Sequence, residues 1–261
     1  MISPLIFAGI IFAAVCSLAV PVGVWIYLIK KDKTGMMNRW ILLGLFGCFV
    51  SQIIIRDPLL LILSTQDLFA DFANRNPILF VLFLSLTRGL FDTTARFLIL
   101  KFAVKDNIRF SSALGTGFGH GVSETIAYTG ISVIVNLMVS VMINTNSLPH
   151  TEQYEKIADT LASQPVSSLF ASGAERLLAM LIHIGLSVII AYFIKKGMSA
   201  AGFALCFASH TVYDFVVSLI SQSGASVWFT VIAATVFAAA FTAVTVYLRN
   251  EEKADAPRII K

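Results

Sequence analysis

The sequence predicts an all-α fold, a polytopic bundle of about seven transmembrane helices with the N-terminus outside and the C-terminus cytoplasmic. Three observations lead there. Hydrophobic residues fill 57% of the 261 positions and charged residues only 13%, at a mean hydropathy of +0.83, which excludes a soluble domain. Apolar runs near the roughly 20 residues needed to cross ~30 Å of hydrocarbon recur along the whole chain. Basic residues gather in alternate connections between those runs.

In order, the spans are read at 5–29, 40–63, 77–100, 110–143, 167–194, 197–220 and 227–248. The first has no preceding basic residue and is too long and unbroken for a cleaved signal segment, so it is expected to stay. The second runs unbroken only from Trp40 to Ile55 before Arg56, Asp57 and Pro58 intervene. The fourth exceeds what a bilayer requires and must protrude or bend, and six or eight spans remain alternatives. No repeat or low-complexity linker divides the chain, which reads as one membrane-embedded domain over 1–261 with a cytoplasmic tail from about 249.

Orientation follows from Lys and Arg, which cytoplasmic loops retain. The connections at 30–39, 101–109 and 195–196 and the tail from Arg249 hold 4, 3, 2 and 4 basic residues, thirteen of nineteen. The opposite side has Arg56, Arg75 and Lys156. The formal charge of +4 is thus largely a topological signal, and a nucleic-acid partner gains no support from it. The lipid bilayer is the expected surrounding, in a multi-pass cell-membrane protein.

Two outward segments are long enough to hold structure. Residues 56–76 mix Leu and Phe with Asp and Arg and could lie along the interface. Tyr154, Ile157, Ala158 and Leu161 recur at helical spacing, which suggests a short amphipathic helix over the outer mouth. The plainer alternative for both is an ordinary loop, with His150 a solvated loop histidine. Cys16, Cys48 and Cys206 fall within apolar runs without metal-ligand spacing, so they read as small core residues.

The spans also contain Arg88, Asp92, Arg96, His120, Glu124, Glu175, Arg176, His183, His210 and Asp214. A central Arg or Asp costs about 2.5 to 3.5 kcal/mol on insertion scales, so these side chains must face one another rather than lipid. Residues four apart share a helix face, a relation that joins Arg88, Asp92 and Arg96, then His120 and Glu124, then His210 and Asp214. Arg176 and His183 are seven apart, with Glu175 flanking. At ~1.5 Å rise per residue, His120, His183 and His210 lie about 16 to 21 Å from the nearest inside basic residue, one layer near mid-membrane. Asp92 at about 14 Å and Glu124 at about 22 Å bracket it.

Three imidazoles and a carboxylate with an open water position match catalytic zinc, which puts a divalent metal on His120, His183 and His210. The same residues could also work without metal, a carboxylate acting as general base and the histidines donating to an oxyanion. Structural hydrogen bonds between helices are the third reading. The run "GTGFGHG" is no dinucleotide fingerprint, since it lies within a span. Gly115 and Gly119, and Gly117 and Gly121, make small faces for close helix packing, or permit local unwinding beside a cavity.

The blocks "GLFDTTARFL" (89–98), "GFGHGVSETI" (117–126), "ERLLAMLIHIGLSV" (175–188) and "HTVYD" (210–214) resemble the YhfC family of bacterial integral membrane proteins, related to PrsW and CAAX-type membrane proteases. The resemblance covers nearly the whole chain. It implies an intramembrane protease of the bacterial plasma membrane that hydrolyses membrane or membrane-proximal proteins and peptides. The first block of that superfamily normally carries two glutamates followed by Arg or Lys; here Asp92 and Thr93 occupy the pair and Arg96 the basic position. By this resemblance Glu124 or Asp92 activates water, with His120, His183 and His210 completing the centre and Arg96, Glu175, Arg176 and Asp214 supporting it. The alternative is a non-catalytic transporter subunit or immunity or binding protein with a degenerate site.

Overall fold

A computed structural model of the chain describes residues 1–149 and 151–254; His150 and the end of the expected tail lie outside them. Seven helices among these residues are long and apolar enough to span a membrane. They are α1 (Pro4–Lys31), α2 (Met37–Ser64), α4 (Pro77–Asn107), α5 (Phe110–Asn144), α7 (Val166–Lys195), α8 (Ser199–Gln222) and α9 (Trp228–Ala254). Two short helices, α3 (Asp67–Arg75) and α6 (Glu152–Ser163), join spans at the end of the bundle opposite the basic connections. All seven expected spans are present, and the chain is a multi-pass helical membrane protein.

The second span does not stop at Arg56. It passes through a π-helical stretch, Phe49–Arg56, and continues as α-helix to Ser64. Pro58 lacks an N–H and would clash with the carbonyl four residues back, and the wider stretch before it absorbs that misfit. Pro21 in α1 likewise follows a π-helical stretch, Val15–Ala19. The long fourth span has a similar irregularity at Ile126–Gly130.

The two segments expected to face outward are helical rather than loops, although Asp57–Ser64 of the first belongs to the second span. On α3, Phe69 packs edge-on against Phe80 and Phe83 of α4. On α6, Thr151 caps the first turn and Leu161 is buried, with Tyr154 and Ile157 against the same apolar cluster. That face is the one its spacing predicts.

α7 is the central helix, with 61% of its most apolar stretch buried against 22% to 39% for the other spans. It packs on α1, α5, α8 and α9, while α2 packs on α5 and α8 on α4. Tight turns with Gly197 at φ +76° and Gly224 at φ +71° make α7, α8 and α9 consecutive antiparallel neighbours.

The glycine run stays helical, so close packing rather than unwinding is its role. A Cβ on Gly119 would overlap the Ile41 carbonyl of α2, and one on Gly115 would lie 2.8 Å from Trp40 Cβ. On the other face, a Cβ on Gly117 would lie 2.6 Å from Ile184 Cα of α7, and one on Gly121 3.0 Å from Met180 Cα. Helix α5 is therefore held between α2 and α7 at backbone contact, which brings His120 and Glu124 into the interior.

Candidate active site

Asp92 is the hub, fully buried on α4 beside Thr93 and Arg96. His120 Nε2 lies 2.8 Å from Asp92 Oδ1. Because an ionised carboxylate only accepts, His120 donates through Nε2 and keeps a lone pair on Nδ1, an atom with no hydrogen-bond partner. On the other carboxylate oxygen, His210 Nε2 stands 3.6 Å from Asp92 Oδ2 and Arg96 Nη2 4.0 Å.

His183 joins Arg96 to Glu124. Its Nδ1 faces the Arg96 guanidinium, which can only donate, so the ring proton sits on Nε2, 2.6 Å from Glu124 Oε2. The rings of His120 and His183 are 5.0 Å apart and those of His183 and His210 5.5 Å apart. The single layer expected from residue counting is realised, and the i,i+4 pairing puts Asp92 and Arg96 on its α4 side.

Glu124 is flanked by Arg88 and Arg176, each 3.7 Å from Oε1. Arg88 also reaches Asp214 Oδ1 at 3.3 Å. Three guanidinium groups thus face three carboxylates, the balance that buried charge requires. Glu175 turns instead to Thr230 Oγ1 of α9. A cavity of about 230 Å³, lined by Arg88, Glu124, Arg176, His210, Tyr213 and Asp214 among others, runs from this centre along α8 towards Gln222. It opens at the end of the bundle that carries α3 and α6.

Two groups of donor atoms lie mutually within 4.8 Å: Asp92, His183 and His210, and on the far side of the same carboxylate Cys48, Asp92 and His120. The first is two imidazoles and a carboxylate, a donor set of catalytic zinc. Asp92 Oδ2 has no hydrogen-bond donor, and with the Nε2 proton of His183 held on Glu124 its Nδ1 lone pair, which faces Arg96 here, is a ligand atom once the guanidinium gives way, so the residues present fit a divalent cation.

Three participants escaped the sequence reading. Gln52 donates to Asp92 Oδ1 at 2.7 Å, its amide oriented by Arg56, whose Nη1 is 3.4 Å from Gln52 Oε1. Arg56 is itself fixed by Leu84 O at 3.0 Å and Thr87 Oγ1 at 3.2 Å. Cys48, Gln52 and Arg56 are spaced four apart on α2; that stripe was the available signal, obscured because Arg56 read as the end of the span. Arg88 was visible as an i,i+4 partner of Asp92, but its bridging of Glu124 to Asp214 was not.

The family model described as YhfC intramembrane metalloprotease matches residues 16–237, an interval that includes every residue of this centre. The chain belongs to that family. Among curated proteins, this family member is 24% identical over 184 residues to the membrane protein YhfC of Bacillus subtilis (strain 168), covering 67% of this chain and 70% of the relative. No solved structure matches it.

Proposed function

We propose that the protein is a metal-dependent intramembrane peptidase that hydrolyses peptide bonds of membrane or membrane-proximal substrates. One observation carries the reading: Asp92, His183 and His210 converge in a water-poor interior next to Glu124, at the inner end of a polar cavity. The family supports the reaction class.

Asp92, His183 and His210 would hold the ion, whose chemistry when bound is Lewis acidity towards a carbonyl and a water pKa near 7. Glu124 is the general base. Arg88 and Arg176 pair with it and carry positive charge into the cavity, where a tetrahedral oxyanion develops. His120 and Gln52 aim Asp92, and Glu124 holds the Nε2 proton of His183, whose Nδ1 would turn from Arg96 to the ion. Thr93 is no acid, so the second carboxylate comes from α5 and not from the position beside Asp92.

Thr93 also favours a second reading, a binding protein that uses the same centre without turnover. Substrate trapping separates the two. In membranes, Glu124→Gln is expected to accumulate an uncleaved membrane protein that wild type processes, with His183→Ala equally inactive and both variants folded. Unchanged processing of every membrane protein in a deletion strain would leave the binding reading standing.

A further inference from the structure

At the opposite end of the bundle from the polar cavity, α5, α7 and α9 enclose a second hollow of about 460 Å³. Its deep wall is apolar, made by Ala113, Val188, Ala191 and Leu248, while Arg109, Lys195 and Lys196 stand at its mouth. An adjoining hollow adds Arg249 and Lys253. These five cations against Glu251 and Glu252 leave a local charge of 5 − 2 = +3.

One carboxylate already marks where an anion sits. Glu252 Oε2 accepts from the Phe110 backbone N–H at 3.0 Å, at the start of α5, and Oε1 from Lys195 Nζ at 2.9 Å. A half-buried side chain from α9 is thus seated on the amide and ammonium of two other spans. The three helices leave the apolar zone here, so the hollow lies where phosphate headgroups are found.

We propose that this groove is a binding site for an anionic phospholipid. The headgroup phosphate takes the place of the Glu252 carboxylate on Lys195 and the Phe110 amide, Arg109 pairs with it from the rim, and the acyl chain lies along the apolar wall. Basic pockets between spans at a membrane surface recognise acidic headgroups by this combination. The site lies on the opposite end of α7 from the polar cavity and does not depend on the peptidase reading.

Native mass spectrometry of the detergent-purified full-length protein tests it, with dioleoylphosphatidylglycerol and dioleoylphosphatidylcholine offered in equal amounts. Wild type is expected to retain the anionic phosphatidylglycerol selectively. Arg109→Gln and Lys195→Gln should each weaken retention roughly five- to tenfold, the scale of one basic residue's attraction to an anionic headgroup. Glu252→Gln should strengthen it, a gain that a damaged fold would not produce. Lys33→Gln, on the same side but outside the groove, should leave it unchanged. Equal retention of the two lipids, unchanged retention in the Arg109 and Lys195 variants, or weaker retention in Glu252→Gln would each overturn the proposal. Complete displacement by sn-glycerol 3-phosphate at the lipid's own concentration would instead mark a soluble-anion site and overturn the lipid assignment.

Discussion

Gln52 donates to the same Asp92 oxygen that His120 contacts, at 2.7 Å and 2.8 Å. Asp92 Oδ1 is thereby saturated and Oδ2 is turned towards His210 and Arg96. A hydrogen bond to a buried charged group contributes about 1.5 to 3 kcal/mol. Gln52→Ala is therefore expected to lower stability by about that amount and to reduce turnover, while Gln52→Glu, which sets a second carboxylate against Asp92, should be worse on both counts. Thermal unfolding in detergent, with a cleavage assay alongside, checks the order; a harmless Gln52→Glu would contradict it.

Metal content reports on the ligand assignment without any substrate. Purified wild type should carry about one divalent ion per chain, lost in Asp92→Asn and in His210→Ala but retained in Glu175→Gln, whose side chain bonds Thr230 instead. Retention of metal by both ligand variants would refute the assignment of Asp92 and His210.

Glu124 as base makes a kinetic prediction. Glu124→Gln should lower kcat by about 10²- to 10⁴-fold, the usual contribution of general base catalysis, with substrate affinity retained. Because Arg88 and Arg176 both pair with Glu124, either Arg→Met substitution should also slow turnover. A Glu124→Gln enzyme within tenfold of wild type would move the base elsewhere.

The glycine interface offers a folding test. Since a Cβ on Gly119 meets the Ile41 backbone rather than a flexible side chain, Gly119→Ala should cost about 3 kcal/mol or more, the upper end of what overpacking costs. Gly23→Ala, where nothing lies within 4 Å, should be neutral or slightly stabilising. The two melting temperatures decide it.

Labelling tests the sidedness. Single cysteines at Ser64 and at Lys33 lie at opposite ends of the bundle; Cys16, Cys48 and Cys206 are buried and should react poorly. An impermeant maleimide on intact cells should modify the Ser64 variant and spare the Lys33 variant. The reverse pattern would invert the proposed orientation.

The sequence by itself determined the helical membrane fold, the seven spans and the layer of histidines, because hydropathy, the cost of buried charge and the fixed rise of a helix all act locally along the chain. It also marked His120, Glu124, His183 and His210 as interior, since i,i+4 and i,i+7 spacing sets a common face before any neighbour is known. Tertiary structure alone decided how those faces meet. The Gly119 contact with Ile41 sets the approach of α5 to α2, and that of Gly47 with Ile99 sets the approach of α2 to α4, which places Cys48 and Gln52 beside Asp92. It also turned Glu175 towards α9 and gave Arg88 its bridge between Glu124 and Asp214. Spacing fixes a side chain's angle about its own helix axis, whereas partners are set by the distance and rotation of other helices, which depend on residues far away in the chain.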